Sequence, residues 1–253
     1  MDRAQLKRLV RDAATRTNAA ARARGVEVRR VSKVFVDHPE AELRMTLEHA
    51  VAHRIMTGGP DLFVVQVGAF DGQTNDPIHE WIMRFGWRGV LVEPQARYFA
   101  RLQQTYAGVE GLELRNVALA HISGQLPFYT VRQEPGVPDW AGQLATFERA
   151  TILSHEHLVP NIEALIETTE VETKSFHDLL EGVEQVDLLQ IDAEGFDAEI
   201  VRMFDFDRWQ PSIVNFESTH LSREDHESVL RLLIDRGYRV STTDVDTLAY
   251  RER

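Results

Sequence analysis

Leu62-Phe-Val-Val-Gln-Val-Gly-Ala-Phe-Asp-Gly-Gln-Thr-Asn-Asp-Pro77 opens with an apolar, β-branched run and closes on a helix start. Leu62 to Val67 is short enough for a strand buried on both faces. Gly68 and Gly72 let the backbone turn sharply and admit a ligand against it. Asp76 offers an N-cap carboxylate, and Pro77 suits the first helical position. Ile78, Trp81, Ile82 and Phe85, closed by Gly86, complete a helix of about ten residues. Strand, glycine loop and capped helix form the opening unit of a nucleotide-binding α/β domain.

The loop departs from a dinucleotide fingerprint. That motif needs G-x-G-x-x-G so that the backbone can reach a pyrophosphate. Here three residues separate the two glycines, and one of them is the anion Asp71. A carboxylate there repels a pyrophosphate and suits a cationic ligand. S-adenosylmethionine, with an ammonium, a sulfonium and no phosphate, meets that requirement; an ordinary strand-to-helix turn meets it as well.

The 253 residues suit one α/β domain with an extension. Net charge is −12, which argues against nucleic acid as the main partner. The first 33 residues nonetheless carry ten Lys/Arg against Asp2, Asp12 and Glu27, about +7, which leaves about −19 for the rest. There is no cysteine, so disulfides, Cys-ligated zinc and thiol nucleophiles are excluded, and a cytoplasmic location is expected. The basic start lacks a following apolar core and does not read as a secretory signal. No run of about 18 apolar residues spans a membrane.

Working outward, residues 1–59 read as a helical extension. Leu6, Leu9, Val10, Ala13 and Ala14 make a thin stripe that would rest on the domain or on a second subunit, giving a homo-oligomer, or meet an anionic surface. A second helix is predicted from Pro39 to about Met56, ended by Gly58-Gly59-Pro60. The domain proper is expected over 60–253. Gly89 to Glu93 is a second strand, Phe99, Leu102 and Tyr106 mark a helix, and Leu112 to Leu119 a third strand. Residues 120–186 read as an insertion that shapes an acceptor pocket or interface. It holds a strand at Leu126–Val131, a loop at Glu134–Gly142, a helix from about Phe147 to Glu167 and an extended Val171–Phe176. Val186 to Asp192 and Ile213 to Glu217 are further strands, and Ser222 with Asp225 starts a helix that Gly237 ends. Tyr238–Thr242 and Thr247–Arg251 suit a terminal antiparallel hairpin. Alternation of strands and helices implies a mostly parallel sheet covered on both faces.

In such sheets ligands bind beyond the carboxyl ends of the strands. Glu93, 25 residues after Gly68, sits where a carboxylate accepts both ribose hydroxyls of an adenosine. Asn116-Val117 stands where an amide and a backbone N–H read adenine edges, or where Asn simply forms a turn. Asp192, in Asp192-Ala-Glu-Gly195, would receive an ammonium, help hold a cation, orient an acceptor hydroxyl, or cap the next helix. His220 is the candidate general base, since imidazole titrates near neutrality. Asp192 with Glu217 offers a Mg²⁺ site, because that ion accepts one or two carboxylates and keeps its waters. His155 and His157 lack H-E-x-x-H spacing and read as pocket rim or surface.

Val67-Gly-Ala-Phe-Asp-Gly72, Val92-Glu93-Pro94, Asn116-Val-Ala-Leu119, Gln190-Ile-Asp-Ala-Glu-Gly195 and Asn215-Phe-Glu217 stand in the order and spacing of the FkbM-type methyltransferases, which the chain resembles over about residues 60–217. The resemblance implies a class I methyltransferase fold: a Rossmann-like α/β domain with a mostly parallel seven-stranded sheet. It also implies S-adenosylmethionine as donor and a sugar or natural-product hydroxyl as acceptor. Carried over by position, Gly68, Asp71 and Gly72 would line the methionine end, with Gln66 and Ala69 beside them. Glu93 and Pro94 would meet the ribose, Asn116 and Val117 the adenine, and Asp192 and Glu194 the reacting face. Gln66 stands where related strands often carry an acid, and Phe70 replaces a more usual Asn. The expected activity is O-methyl transfer, with Asp192, Glu217 and His220 as catalytic residues and a small molecule or glycan as acceptor. An NAD-dependent oxidoreductase and a non-catalytic cofactor-binding assembly protein are the rival readings.

Overall fold

The structure is a computed structural model of the chain and describes residues 32–243 and 245–252. Its described residues divide into two compact units between Pro39 and Glu40. In the first, helix α1 (Lys33–Asp37) is capped by the Ser32 hydroxyl, which accepts from the Val34 N–H. The apolar stripe of Leu6, Leu9, Val10, Ala13 and Ala14, and the oligomer contact expected of it, lie outside the described residues.

The second unit is built on a seven-stranded sheet. Its strands are β1 (Phe63–Val67), β2 (Arg88–Val92), β3 (Leu112–Arg115), β8 (Leu188–Ile191), β9 (Ile213–Glu217), β10 (Arg239–Thr242) and β11 (Asp246–Tyr250), in spatial order β10-β11-β9-β8-β1-β2-β3. All pairings are parallel except those of β11 with β9 and β10, which form the expected hairpin. Both faces are covered. Val64, Leu91, Leu188 and Ile213 share a core with Leu47, Ala50, Ile82 and Leu102. Val65, Val90, Leu189 and Val214 alternate to the other side and are equally buried. The order of strands places a switch between β1 and β8, where a ligand crevice opens at their carboxyl ends.

Helix α2 (Leu47–Gly58) begins eight residues later than the periodicity suggests, because Thr46 supplies the cap and Glu42 instead bridges to Val240 beside β10. It buries Leu47, Ala50 and Val51 in the sheet's own core, so residues 40–59 are built into this unit. Arg54 on α2 pairs with the buried Asp187 at 2.9 Å, and Asp187 also accepts from the Phe63 N–H. This joins helix and sheet at the end away from the crevice. Asp187→Asn removes the charge but keeps the shape. It should cost about 2 kcal/mol, as a charge-assisted bond does. A melting scan would then fall by roughly 4–8 °C.

The insertion differs most from expectation. It folds as a second sheet, β4 (Ala118–Leu119), β5 (Gly124–Val131), β6 (Ala145–Thr146) and β7 (Ile166–Lys174), in the order β4-β7-β5-β6. The long helix expected over 147–167 is only α5 (Arg149–Leu153) and α6 (Ile162–Leu165). Pro160 and left-handed Asn161 (φ 60°) interrupt it, and the β-branched Ile166, Thr168, Thr169 and Val171 favour the strand that follows. The third strand breaks at Asn116, whose amide donates to the carbonyls of Glu93 and Pro94. Ala118–Leu119 then pairs with β7 in the second sheet. Val131, Leu144, Ile152 and Ile162 give this lobe its own core.

Candidate active site

Three loops meet at the crevice. Gly68 follows β1 with φ 79°, and its N–H and that of Ala69 donate to the Val92 carbonyl. A Cβ on Gly68 would lie 1.7 Å from the carbonyl oxygen of Asp192, so glycine is required for the loops after β1 and β8 to touch. Phe70 is held left-handed (φ 48°), which costs about 1–2 kcal/mol. Its N–H donates to Glu93 Oε2, and its ring lies 4.0 Å from that of Tyr98. Glu93, buried at the end of β2, also accepts the Gln95 N–H through Oε1.

The loop after β8 is pinned from within. Helix α8 (Asp197–Met203) starts with a fully buried Asp197, whose two oxygens accept from the N–H groups of Ala193 and Gly195. Glu194, between them, is the second strained residue of the site (φ 48°). Across the carboxyl ends of β1, β8 and β9, Gln66, Gln190 and Asn215 stand in register as a row of buried amides. Asn215 Nδ2 donates to Gln190 Oε1, and Gln66 Nε2 donates to Asp76 Oδ2. Gln66 Oε1 is buried without a partner. Helix α3 (His79–Phe85) starts two residues later than expected, with Ile78 and not Asp76 at its N-cap and Pro77 ahead of it; Asp76 Oδ1 still caps the turn into it, accepting from the N–H groups of Ile78 and His79.

Two adjoining cavities result, which open to solvent. The first has Glu93 and Pro94 on one side and the apolar Leu119, Phe128, Phe147 and Ile200 on the others. The second is lined by Gln66, Ala69, Asp76, Glu217 and His220, with Trp140, His155 and Leu158 arriving from the insertion. Gly68, Phe70, Gln143, Asp192 and Glu194 belong to both.

Of the residues expected from sequence, Gln66, Gly68, Ala69, Glu93, Pro94, Asp192, Glu194, Glu217 and His220 thus line this space. Asp71, Gly72, Asn116 and Val117 line neither cavity. Asp71 turns into its own loop and accepts from the N–H groups of Gln73 and Thr74 and the Thr74 hydroxyl; those bonds hold its pKa below the usual range despite partial burial. Gly72 is needed against the side chains of Leu102 and Tyr106. Asn116 spends its amide on backbone, and Val117 is buried. Sequence reading passed over Phe128, Trp140, Gln143 and Phe147, whose only signal was membership of the insertion. It read His155 as pocket rim or surface; the residue is 7% exposed and lines the second cavity.

Electrostatically the site is crowded with acids. Burial pushes Glu93 up to about 7, against the pull of the two N–H bonds it accepts. Surrounding protein lifts Asp192 to about 7 although its cavity side is open to water, and neighbouring Glu217 adds to the rise. Glu194 and Asp197 rise to about 8, burial first and the Asp192 charge second. Burial also lowers His220. Glu194 beside it is itself raised to about 8, and burial raises Glu217 as well. Among the described residues, Glu194, Glu217 and His220 bring their ligand atoms within 4.8 Å of one another, and Asp192 is outside that group.

A seven-stranded sheet of this order, with its crevice at the β1/β8 switch, defines a class I methyltransferase architecture. Residues 66–240 match the methyltransferase FkbM domain, and the chain belongs to that family, as its motifs suggested. Membership supports S-adenosylmethionine as donor and sets aside the nicotinamide reading. Solved structures similar in fold include a methyltransferase FkbM from Methylobacillus flagellatus KT. It is 11% identical with a TM-score of 0.48, over 76% of this chain and 44% of that one. A methyltransferase from Geobacter sulfurreducens is 11% identical with a TM-score of 0.40, over 94% and 96% of the two chains. The N-terminal domain of human METTL16 is 12% identical with a TM-score of 0.40, over 82% and 71%. This chain thus spans under half the length of the Methylobacillus protein. No curated protein matches its sequence. Among the described residues no helix is long and apolar enough to cross a membrane.

Proposed function

We propose that the chain is an S-adenosylmethionine-dependent O-methyltransferase that acts in the cytoplasm on a hydroxyl of a sugar or natural-product acceptor. The observation that carries this reading is the wall that the two cavities share at Gly68, Asp192 and Glu194. A donor seated in the first meets an acceptor in the second across that wall.

The residues present fit the donor. Glu93 keeps lone pairs for ribose hydroxyls after accepting two N–H bonds. Leu119, Phe128 and Phe147 suit the faces of an adenine. The orphan Gln66 Oε1 suits an ammonium, despite the absence of the acid usual at that position. When bound, S-adenosylmethionine supplies a methyl group already activated by its sulfonium. The chain's own task is then alignment of a hydroxyl at about 3 Å and acceptance of its proton. Asp192 stands on the shared wall, while Glu217 and His220 face it from the second cavity. Trp140 and Leu158, exposed at the rim, offer an apolar platform for the acceptor.

Calorimetry of the full chain should detect both S-adenosylmethionine and S-adenosylhomocysteine; binding of neither would end this reading. With a panel of labelled-methyl assays on polyhydroxylated acceptors, Asp192→Asn should lower kcat by about 10²–10⁴, the worth of a positioned proton acceptor. Unchanged turnover in that variant would remove Asp192 from the chemistry.

A further inference from the structure

We propose that Glu194, Glu217 and His220 form a site for one divalent transition-metal ion on the acceptor side of the crevice. His220 Nε2 stands 3.8 Å from Glu194 Oε2 and 3.6 Å from Glu217 Oε1. These separations are too long for hydrogen bonds. They approach the roughly 3.4 Å between two ligands of a tetrahedral ion whose bonds are about 2.1 Å. Three groups therefore converge on a common point without bonding one another.

A second observation points to the same place. His155 is 7% exposed, lines the same cavity, and its ring centroid is 5.3 Å from that of His220. Its Nδ1 lies 3.0 Å from the Thr151 carbonyl, which only accepts, so Nδ1 carries the proton. Nε2 is then a bare lone pair, with no hydrogen bond among the described residues. A backbone carbonyl fixing the tautomer in this way is the usual support of a metal-binding imidazole. His155 lies outside the three converging groups and is placed beside them as the acceptor for a water on the ion. The cavity also holds Asp76 and Asp192 and is lined by no Lys or Arg, so no such side chain competes with an ion for these groups.

The donor set names the class of ion. Magnesium prefers oxygen ligands and keeps its waters. An imidazole among carboxylates suits Mn²⁺, Fe²⁺, Co²⁺ or Zn²⁺. Such an ion would act without redox change, as a Lewis acid toward an acceptor oxygen.

This assignment shares its cavity with the proposed methyl transfer but does not need it, and the test keeps the two apart. Metal-free full-length protein is titrated with Co²⁺ while visible d–d absorption is followed, with S-adenosylhomocysteine calorimetry and melting scans on every variant. The expected result is one equivalent of Co²⁺, displaced by Zn²⁺ but not by equal Mg²⁺. Affinity should weaken about ten- to a hundredfold in Glu217→Gln and in His220→Ala. It should be unchanged in His177→Ala, an exposed control. Absence of the bands, bands that survive both site substitutions in folded protein, or equal displacement by Mg²⁺ would each overturn it. Product binding with no cobalt site defeats the metal alone; a cobalt site without product binding defeats the methyl-transfer reading alone.

Discussion

Gly68→Ala should lower the melting temperature by roughly 8–16 °C and, in whatever protein still folds, abolish measurable binding of S-adenosylhomocysteine. The added methyl would meet the Asp192 carbonyl oxygen at 1.7 Å, and backbone on both sides leaves no flexible side chain to give way. A left-handed backbone adds about 1–2 kcal/mol for any residue with a Cβ. Overpacking adds about 1–3 kcal/mol. Together these reach about 4 kcal/mol, or roughly 2–4 °C per kcal/mol in a chain of this size. Relief comes only if β1 and β8 part at their carboxyl ends, which is where the cavities join. Calorimetry and a melting scan check both halves. A variant that melts like the parent and binds normally would show that the two loops are not in contact.

Glu93→Ala should weaken S-adenosylhomocysteine binding by about a hundredfold or more, since each charge-assisted bond to a ribose hydroxyl is worth about 1.5–3 kcal/mol. The loss has a pH signature. Glu93 is raised to about 7, burial being the main cause, so the proton must leave before both oxygens can accept hydroxyls. Affinity should fall about tenfold for each pH unit below 7 and level off above it. The sign reverses for the unliganded fold. Between about 4.5 and 7 the unfolded chain ionises this carboxyl while the folded chain keeps it protonated, so stability declines as pH rises through that window. Glu93→Gln, which does not titrate, should flatten both dependences. An affinity that is level from pH 5 to 8 in the parent would dismiss Glu93 as the ribose acceptor.

The reliability of the sequence reading followed the range of the interactions involved. β1, the glycine turn, the Asp76 cap and the helix ended by Gly86 are local patterns, each set by residues within a turn or two of one another. The insertion was misread. The helix expected over 147–167 became two short helices separated at Pro160 and left-handed Asn161, and its last two residues joined β7, which pairs with β5. Phe70 was noted as a departure, but only the fold shows that its strained backbone aims an N–H at Glu93.

Composition, periodicity and motif order were sufficient for an α/β sheet with its ligand at the carboxyl ends, because those depend on which residues can be buried and which can turn. Tertiary contact alone buried His155. It also converged Glu194, Glu217 and His220 from two strand ends. Those outcomes depend on distances between segments far apart in the chain, and residue spacing along one strand carries no record of them.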